Sequence, residues 1–237
     1  MTTLDLQAIG LRELNQTLQS ANSTDRTVAY EIINPQGAHA IACGLNKPIH
    51  VDIRGHAGFY CAGMNQHATI KVHGHAGVGL AENMMSGSVH VTGNASQAAG
   101  ATAHGGLLVI EGDASSRCGI SMKGIDIVVG GSVGHMSAFM AQAGNLVVCG
   151  DAGDALGDSL YEASLFVQGN VEGLGADCIE KPMYKEHVAL VQDLLNKSGI
   201  NKSGKNNAGI KADASQFKRF GSERKLYHFT PDNAGEY

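Results

Sequence analysis

VHVTGNASQAAG, Val89–Gly100, reads in isolation as a short strand running into a turn. Its neighbours change that reading. IKVHGHAGVGLA (70–81) lies nineteen residues before it, and LVIEGDASSRCG (108–119) nineteen residues after it. The glycine of the phrase recurs at Gly55, Gly74, Gly93, Gly112, Gly131, Gly150 and Gly169, always at an interval of 19. Four residues ahead of it stand Val51, Ile70, Val89, Leu108, Ile127, Leu146 and Leu165. Two ahead stand Ile53, Val72, Val91, Ile110, Val129, Val148 and Val167. Apolar columns two residues apart mark a strand with one buried face. Two residues after the glycine the chain carries Ala57, Ala76, Ala95, Ala114, Val133, Ala152 and Val171. Seven after it come Ala62, Ala81, Gly100, Gly119, Ala138, Gly157 and Ala176, always Gly or Ala.

A 19-residue unit cannot bury its apolar face alone, but a stack of such units can. Extended at ~3.3 Å per residue, it travels at most about 63 Å, which suits one circuit of a narrow core. The next circuit then lies about 4.8 Å away and pairs in parallel, with right-handed crossovers as the default. The sequence predicts an all-β fold: a right-handed parallel β-helix of about seven 19-residue coils over residues 30–180. The corner glycines are expected where the backbone needs a positive φ or approaches the neighbouring coil closely. The small columns are expected where a larger side chain would strike the next rung. GHAGVG (74–79) resembles a dinucleotide-binding loop, but that fingerprint occurs once and opens a helix. Seven recurring glycines leave no room for crossover helices.

The ends break the pattern. Residues 1–29 form an N-terminal cap segment with a short helix, carrying Leu11, Leu14 and Leu18 at helical spacing. Tyr30–Ile33 and Gly37–Ile41 read as an imperfect first coil. Residues 181–199 form a C-terminal cap helix, with Val188, Val191, Leu194 and Leu195 on one stripe and Gly199 as its stop. Both helices are expected to cover the open ends of the ladder. Residues 200–237 are polar, aperiodic and Lys-rich, an irregular tail whose Phe217, Phe220, Tyr227 and Phe229 suit a partner-binding arm.

Composition excludes several classes. The formal net charge of −5 over 237 residues argues against a nucleic-acid partner. No basic, apolar leader opens the chain, and no apolar run reaches the ~18–20 residues that span a bilayer. Cys43, Cys61, Cys118, Cys149 and Cys178 form no CxxC pair, which fits reduced, mostly buried thiols in a cytoplasmic protein.

The outward strand column, three residues before each glycine, runs Asp52, Lys71, His90, Val109, Val128, Val147, Phe166. Its apolar part needs a cover: either the chain's own C-terminal segment or a partner subunit. Little catalytic chemistry is visible. His56 and His75 share a column on successive rungs, but no carboxylate or Cys completes a metal set in register. Asp113 and Asp151 share that column with Asn94, Ser132 and Asn170, which are turn-forming types rather than a catalytic pair. Cys61 and Cys118 lie three rungs apart, too far for a disulfide. No Ser-His-Asp arrangement is visible in the spacing. The expectation is no catalytic, cofactor-binding or metal residue on this chain.

The rung pattern resembles the GXGXG domain, the β-helix at the C-terminal end of the glutamate synthase large chain. GVGLAENMMSG (77–87), CGISMKGIDIVVGG (118–131), GDALGDSLYEASLFVQG (153–169) and LGADC (174–178) most resemble the stand-alone GXGXG subunit of bacterial N-methylglutamate synthase and its relatives. That resemblance implies a structural, non-catalytic subunit of a cytoplasmic hetero-oligomer. One partner is an amidotransferase-like subunit; the other is an FMN-binding, synthase-like subunit with an iron–sulfur cluster. The reaction it implies is methylamine plus L-glutamate giving N-methyl-L-glutamate plus ammonia. Alternatives are a GXGXG subunit of another amidotransferase-type complex, the corresponding subunit of formylmethanofuran dehydrogenase, or a free-standing small-molecule binder.

Overall fold

The computed structural model describes residues 1–21, 28–200 and 209–224. Its centre is a β-solenoid. Strands β2 (Ala29–Ile33), β3 (His50–Ile53), β4 (Thr69–Val72), β5 (Ser88–Val91), β6 (Leu107–Ile110), β7 (Lys123–Val129), β8 (Ala143–Val148) and β9 (Ser164–Val167) stack in parallel, each beside the next. The register is the one the repeat dictates: Val51 pairs Ile70, Ile70 pairs Val89, and Val89 pairs Leu108. Equivalent residues one circuit apart sit over one another. Both inward columns are buried, with Val72, Val91, Ile110, Val129 and Val148 at 0% exposure.

A second wall is the column Ala57, Ala76, Ala95, Ala114, Val133, Ala152, Val171, joined by parallel bridges between successive coils. The third wall has a backbone that column counting does not reveal. Tyr60, Ala62 and Met64 all have positive φ, as do Met136, Ala138 and Met140 two residues apart in a later coil. Their N–H groups bond alternately up and down the stack: Tyr60 to the carbonyl of Val78, Ala62 to that of Ile41, Met64 to that of Glu82. A left-handed conformation disfavours large L side chains, and the middle residue also faces the core. Those two demands together select Gly or Ala. At Gly100, φ is +68° and an added Cβ would lie 2.7 Å from Ile127 Cδ1.

The corner glycines answer to close approach. Gly55 has a φ of +142°, but Gly112 does not have a positive φ. A Cβ on Gly112 would overlap the Asn94 side-chain oxygen and stand 3.0 Å from the Gly93 carbonyl oxygen. One glycine thus lies against the glycine of the rung before it.

Both ends are closed by devices with no periodic echo in the sequence. β1 (Thr2–Asp5) pairs in parallel with β2, and helix α1 (Leu6–Gln19) replaces the rest of that circuit. Asp5 opens α1 by accepting from the Gln7 N–H and the Asn34 amide. Leu14 and Leu18 plug the core at 0% exposure. Asn15 and Gln19 satisfy the open rim: Asn15 donates to the Ala40 carbonyl and accepts from the Ala42 N–H, and Gln19 donates to the Cys43 carbonyl. This helix is the cap expected of it.

Helix α2 (Lys185–Ser198) ends at Gly199 with a φ of +71°, the left-handed stop its sequence predicts. It is not an end cap. Val191, Leu194 and Leu195 pack on the outward residues Val109, Val128, Val147 and Phe166, making a second core outside the solenoid. The segment expected to be wholly irregular also departs from that reading. Residues Lys218–Ser222 form β11, inserted antiparallel between β9 and β10 (Cys178–Lys181). An antiparallel strand ends a parallel ladder while still pairing its last edge.

Candidate functional site

The apolar stripe expected to meet either a partner or the chain's own C-terminal segment meets the latter. Val109 (3% exposed), Val128, Val147 and Phe166 (all 0%) lie under α2 and the segment Ile210–Phe217. Phe217 joins that cluster, and Phe220 reaches the solenoid core itself. These residues are therefore internal in the monomer. Tyr227 and Phe229 lie outside the described residues. The seven corner glycines sit at the strand-ending corner where the repeat places them.

The corner histidines belong to a ladder. His75 N–H donates to His56 Nδ1 at 2.9 Å, and Asn94 N–H donates to His75 Nδ1 at 2.8 Å. Asp113 N–H donates to Asn94, Ser132 N–H to Asp113, Asp151 N–H to Ser132 and Asn170 N–H to Asp151. Each side chain in the column takes up one N–H of the next coil. This is why only short acceptors and imidazole occur there. The Nδ1 atoms of His56 and His75 are thereby engaged, and their rings stack at 5.0 Å. Among the described residues no group of three or more His, Cys, Asp or Glu is placed to hold a metal ion.

The five cysteines are free. Burial pushes the Cys118 and Cys149 thiols up to about 12 and Cys178 to about 11. Cys61 is also pushed up by burial, and then by neighbouring Cys43. Thiols held this high resist forming the nucleophilic thiolate. Among the described residues, no helix is long and apolar enough to cross a membrane.

Among the described residues, no helix or tail segment packs on the N-terminal half of the same sheet face as α2 does on the other half. Here the outward residues Asp52, Lys71 and His90 are joined by the following column, Arg54, His73 and Glu111. Arg54 donates to Glu31 at 2.6 Å, and His73 Nε2 lies 2.5 Å from Asp52 and 3.0 Å from Arg54. His90 Nε2 is 2.6 Å from Glu111. Burial, helped by the neighbouring Lys71 and His73, holds the His90 pKa below its ordinary value against the raising pull of Glu111. The result is a fixed array of both signs of charge, strapped across consecutive coils. Column reading registers the first column as a water-facing surface but misses the second, because only their spatial sum makes a network. The signal was the pair of charged or His residues two apart in two successive rungs, Asp52/Arg54 and Lys71/His73, followed by His90 and by Glu111 one rung on.

The same half carries exposed apolar side chains on a neighbouring corner. Phe59, Tyr60 and Met64 are 46%, 51% and 55% exposed. Phe59 stacks on His39 with ring centroids 4.5 Å apart. A Cβ on Gly77 would stand 2.9 Å from Phe59 Cδ1, and one on Gly79 2.7 Å from Tyr60 Cδ1. The glycines of GHAGVG thus make room for two aromatic rings from the rung before. Exposed aromatic and Met side chains and a fixed charge array on the same coils have the composition of a protein-docking surface.

No family model matches the chain. Among curated proteins it is similar to Protein GlxC of Rhizobium meliloti (strain 1021). The two are 56% identical over 237 residues, 100% of either chain.

Proposed function

As the chain belongs to the family of that rhizobial protein, we propose that it is the scaffold subunit of a glutamate synthase-like complex. The observation that carries this reading is the seven-coil solenoid with its 19-residue register and left-handed, Gly- and Ala-selecting third wall. The 19-residue rung pattern with its recurring glycines is the feature on which the resemblance to the GXGXG domain rests. In this role the chain itself performs no bond chemistry. It holds an amidotransferase-like subunit and an FMN-binding subunit with an iron–sulfur cluster at a fixed distance, so that ammonia or methylamine passes between sites without loss. The complex-level reaction is then methylamine plus L-glutamate giving N-methyl-L-glutamate plus ammonia.

A solenoid suits such a task. Each coil contacts only its neighbours, and each corner is pinned by backbone and side-chain bonds. The N-terminal half supplies the docking surface: Phe59, Tyr60 and Met64 as anchors, and the Glu31–Arg54–His73 array as the element of specificity.

The test is affinity purification of the tagged chain from its native host, with the co-purifying chains identified by mass spectrometry. The expected result is an FMN protein together with an amidotransferase-like chain. Both are lost from an Arg54→Glu, Tyr60→Ser variant whose melting temperature is unchanged. Recovery of a stable, solitary monomer overturns the scaffold role. Recovery with molybdenum- or tungsten-dependent partners replaces the reaction while keeping the scaffold.

A further inference from the structure

The C-terminal end holds a feature that a scaffold does not require. Two clefts open there and share Tyr161, Glu162 and Arg224 on their walls. The larger, about 770 Å³, is lined by Met140, Ala143 and Tyr161 together with Lys123. The smaller, about 390 Å³, is lined by Lys181, Arg219 and Arg224 with the hydroxyl residues Ser164 and Ser222.

Two of the three cations of the smaller cleft, Lys181 and Arg219, are poorly neutralised by the protein, although Glu162 shares the wall. Lys181 and Arg219 are direct cross-strand partners in the β10–β11 pair, an arrangement in which like charges repel. Glu180 pairs with Lys218 and Asp177 with Arg224. Among the described residues, neither Lys181 nor Arg219 has a carboxylate within ion-pair distance. Arg219 Nε is buried without a hydrogen-bond partner among those residues. Its terminal nitrogen reaches the Pro182 carbonyl only at 3.4 Å. A buried guanidinium nitrogen left unpaired beside a second cation is a costly arrangement, and an anion in the cleft would relieve it. Next to this charge, Met140 and Tyr161 are 50% and 54% exposed, although both are large enough to be drawn inward.

We infer that the joined clefts bind a small organic anion. Its carboxylate or phosphate head lies between Lys181 and Arg219, with the Ser164 and Ser222 hydroxyls as further donors. Its apolar body lies along Met140 and Tyr161. This site is independent of the partner-docking surface in the other half of the molecule.

The experiment is isothermal titration of the full-length protein with phenyl phosphate, phenylacetate and inorganic phosphate. At least one organic anion is expected to bind saturably at one site, about tenfold more tightly than inorganic phosphate, because the ring adds apolar burial. Which of the two binds more tightly identifies the head group. Lys181→Gln and Arg219→Gln each weaken that binding about tenfold through loss of a charge-assisted hydrogen bond. Lys181 lies on an edge strand, so its variant keeps the wild-type melting temperature even where Arg219→Gln lowers it. Absence of saturable binding by both organic anions overturns the inference. So does an affinity unchanged in Lys181→Gln, or one no greater than that for inorganic phosphate.

Discussion

The two halves of one sheet face have nearly identical interiors and opposite exteriors. Val51, Ile70 and Val89 face the same core as Leu108, Ile127 and Leu146. Outward, the column changes from Asp52, Lys71 and His90 to Val109, Val128, Val147 and Phe166. The boundary falls between two neighbouring rungs, where His90 pairs with Val109. The inner column is set by the stack, because any polar residue there would lose its water without gaining a partner. The outer column is set by what lies over it. In the second half that is the chain's own α2; in the first half the described chain leaves a charged array and an aromatic platform open. The repeat therefore encodes the scaffold, and departures from the repeat encode what the scaffold carries.

The sharpest way to break this contrast is to place the first half's chemistry in the second. Val147→Lys buries an unpaired ammonium beneath α2, at a cost of about 3–5 kcal/mol. At ~2–4 °C per kcal/mol for a chain of this size, the melting temperature falls by about 6–20 °C. The reciprocal change, Lys71→Val on the open half, stays within about 0.5 kcal/mol. Equal effects in differential scanning calorimetry would abolish the distinction between covered and open halves.

Phe166→Ala comes next. Phe166 is fully buried between β9 and α2. Its removal costs about 3–4 kcal/mol and loosens α2 before the solenoid. Limited proteolysis is expected to cut between residues 182 and 200 faster than in the wild type, with the coils 50–170 still protected. Simultaneous cleavage everywhere would show that cover and ladder unfold as one unit.

Asn15→Ala tests the cap of the open half. It strands the part-buried Ala40 carbonyl and Ala42 N–H, at about 1 kcal/mol, the low end for buried groups left unpaired. Hydrogen exchange at the first coil is expected to rise while β6–β8 stay unchanged.

The smallest effect concerns pH. Burial holds the His90 imidazole below its ordinary value in the folded chain. The unfolded chain takes up the proton first, near pH ~6.5, so stability is full above that value and declines as pH falls through the folded pKa. In His90→Gln the drop in denaturation midpoint between about pH 7.5 and about pH 5.5 is shallower. A slope equal to wild type removes His90 from the account.

Much of this was legible in the sequence because the determinants repeat. A 19-residue period fixes strand register, both inward columns and the Gly or Ala column without knowledge of any angle. The reasons behind the small residues were less accessible: the positive φ of Ala62 or Met140 belongs to residue types that give no local cue. The unrepeated parts were the hardest. TTLD has no partner at the interval, because α1 occupies the circuit that would have supplied one. KRFGS (218–222) joins the sheet through antiparallel pairing with residues some fifty positions earlier, which periodicity cannot detect. The helix over 185–198 was recognised, but not its seat, since an apolar stripe serves an end or a flank equally well. The open surface was only half visible: Asp52, Lys71 and His90 marked a wet face, while the bonds of Arg54, His73 and Glu111 exist only once the coils are stacked.

The strand order at the far end has a consequence for biosynthesis. β10 is synthesised before β11 yet reaches the sheet only through it, since β11 lies between β9 and β10. While the ribosome is still making residues 182–217, the growing solenoid presents the rim of β9 as a bare template. Pairing of residues 218–222 therefore acts as a latch: it completes the sheet and blunts the adhesive edge that β9 would otherwise present.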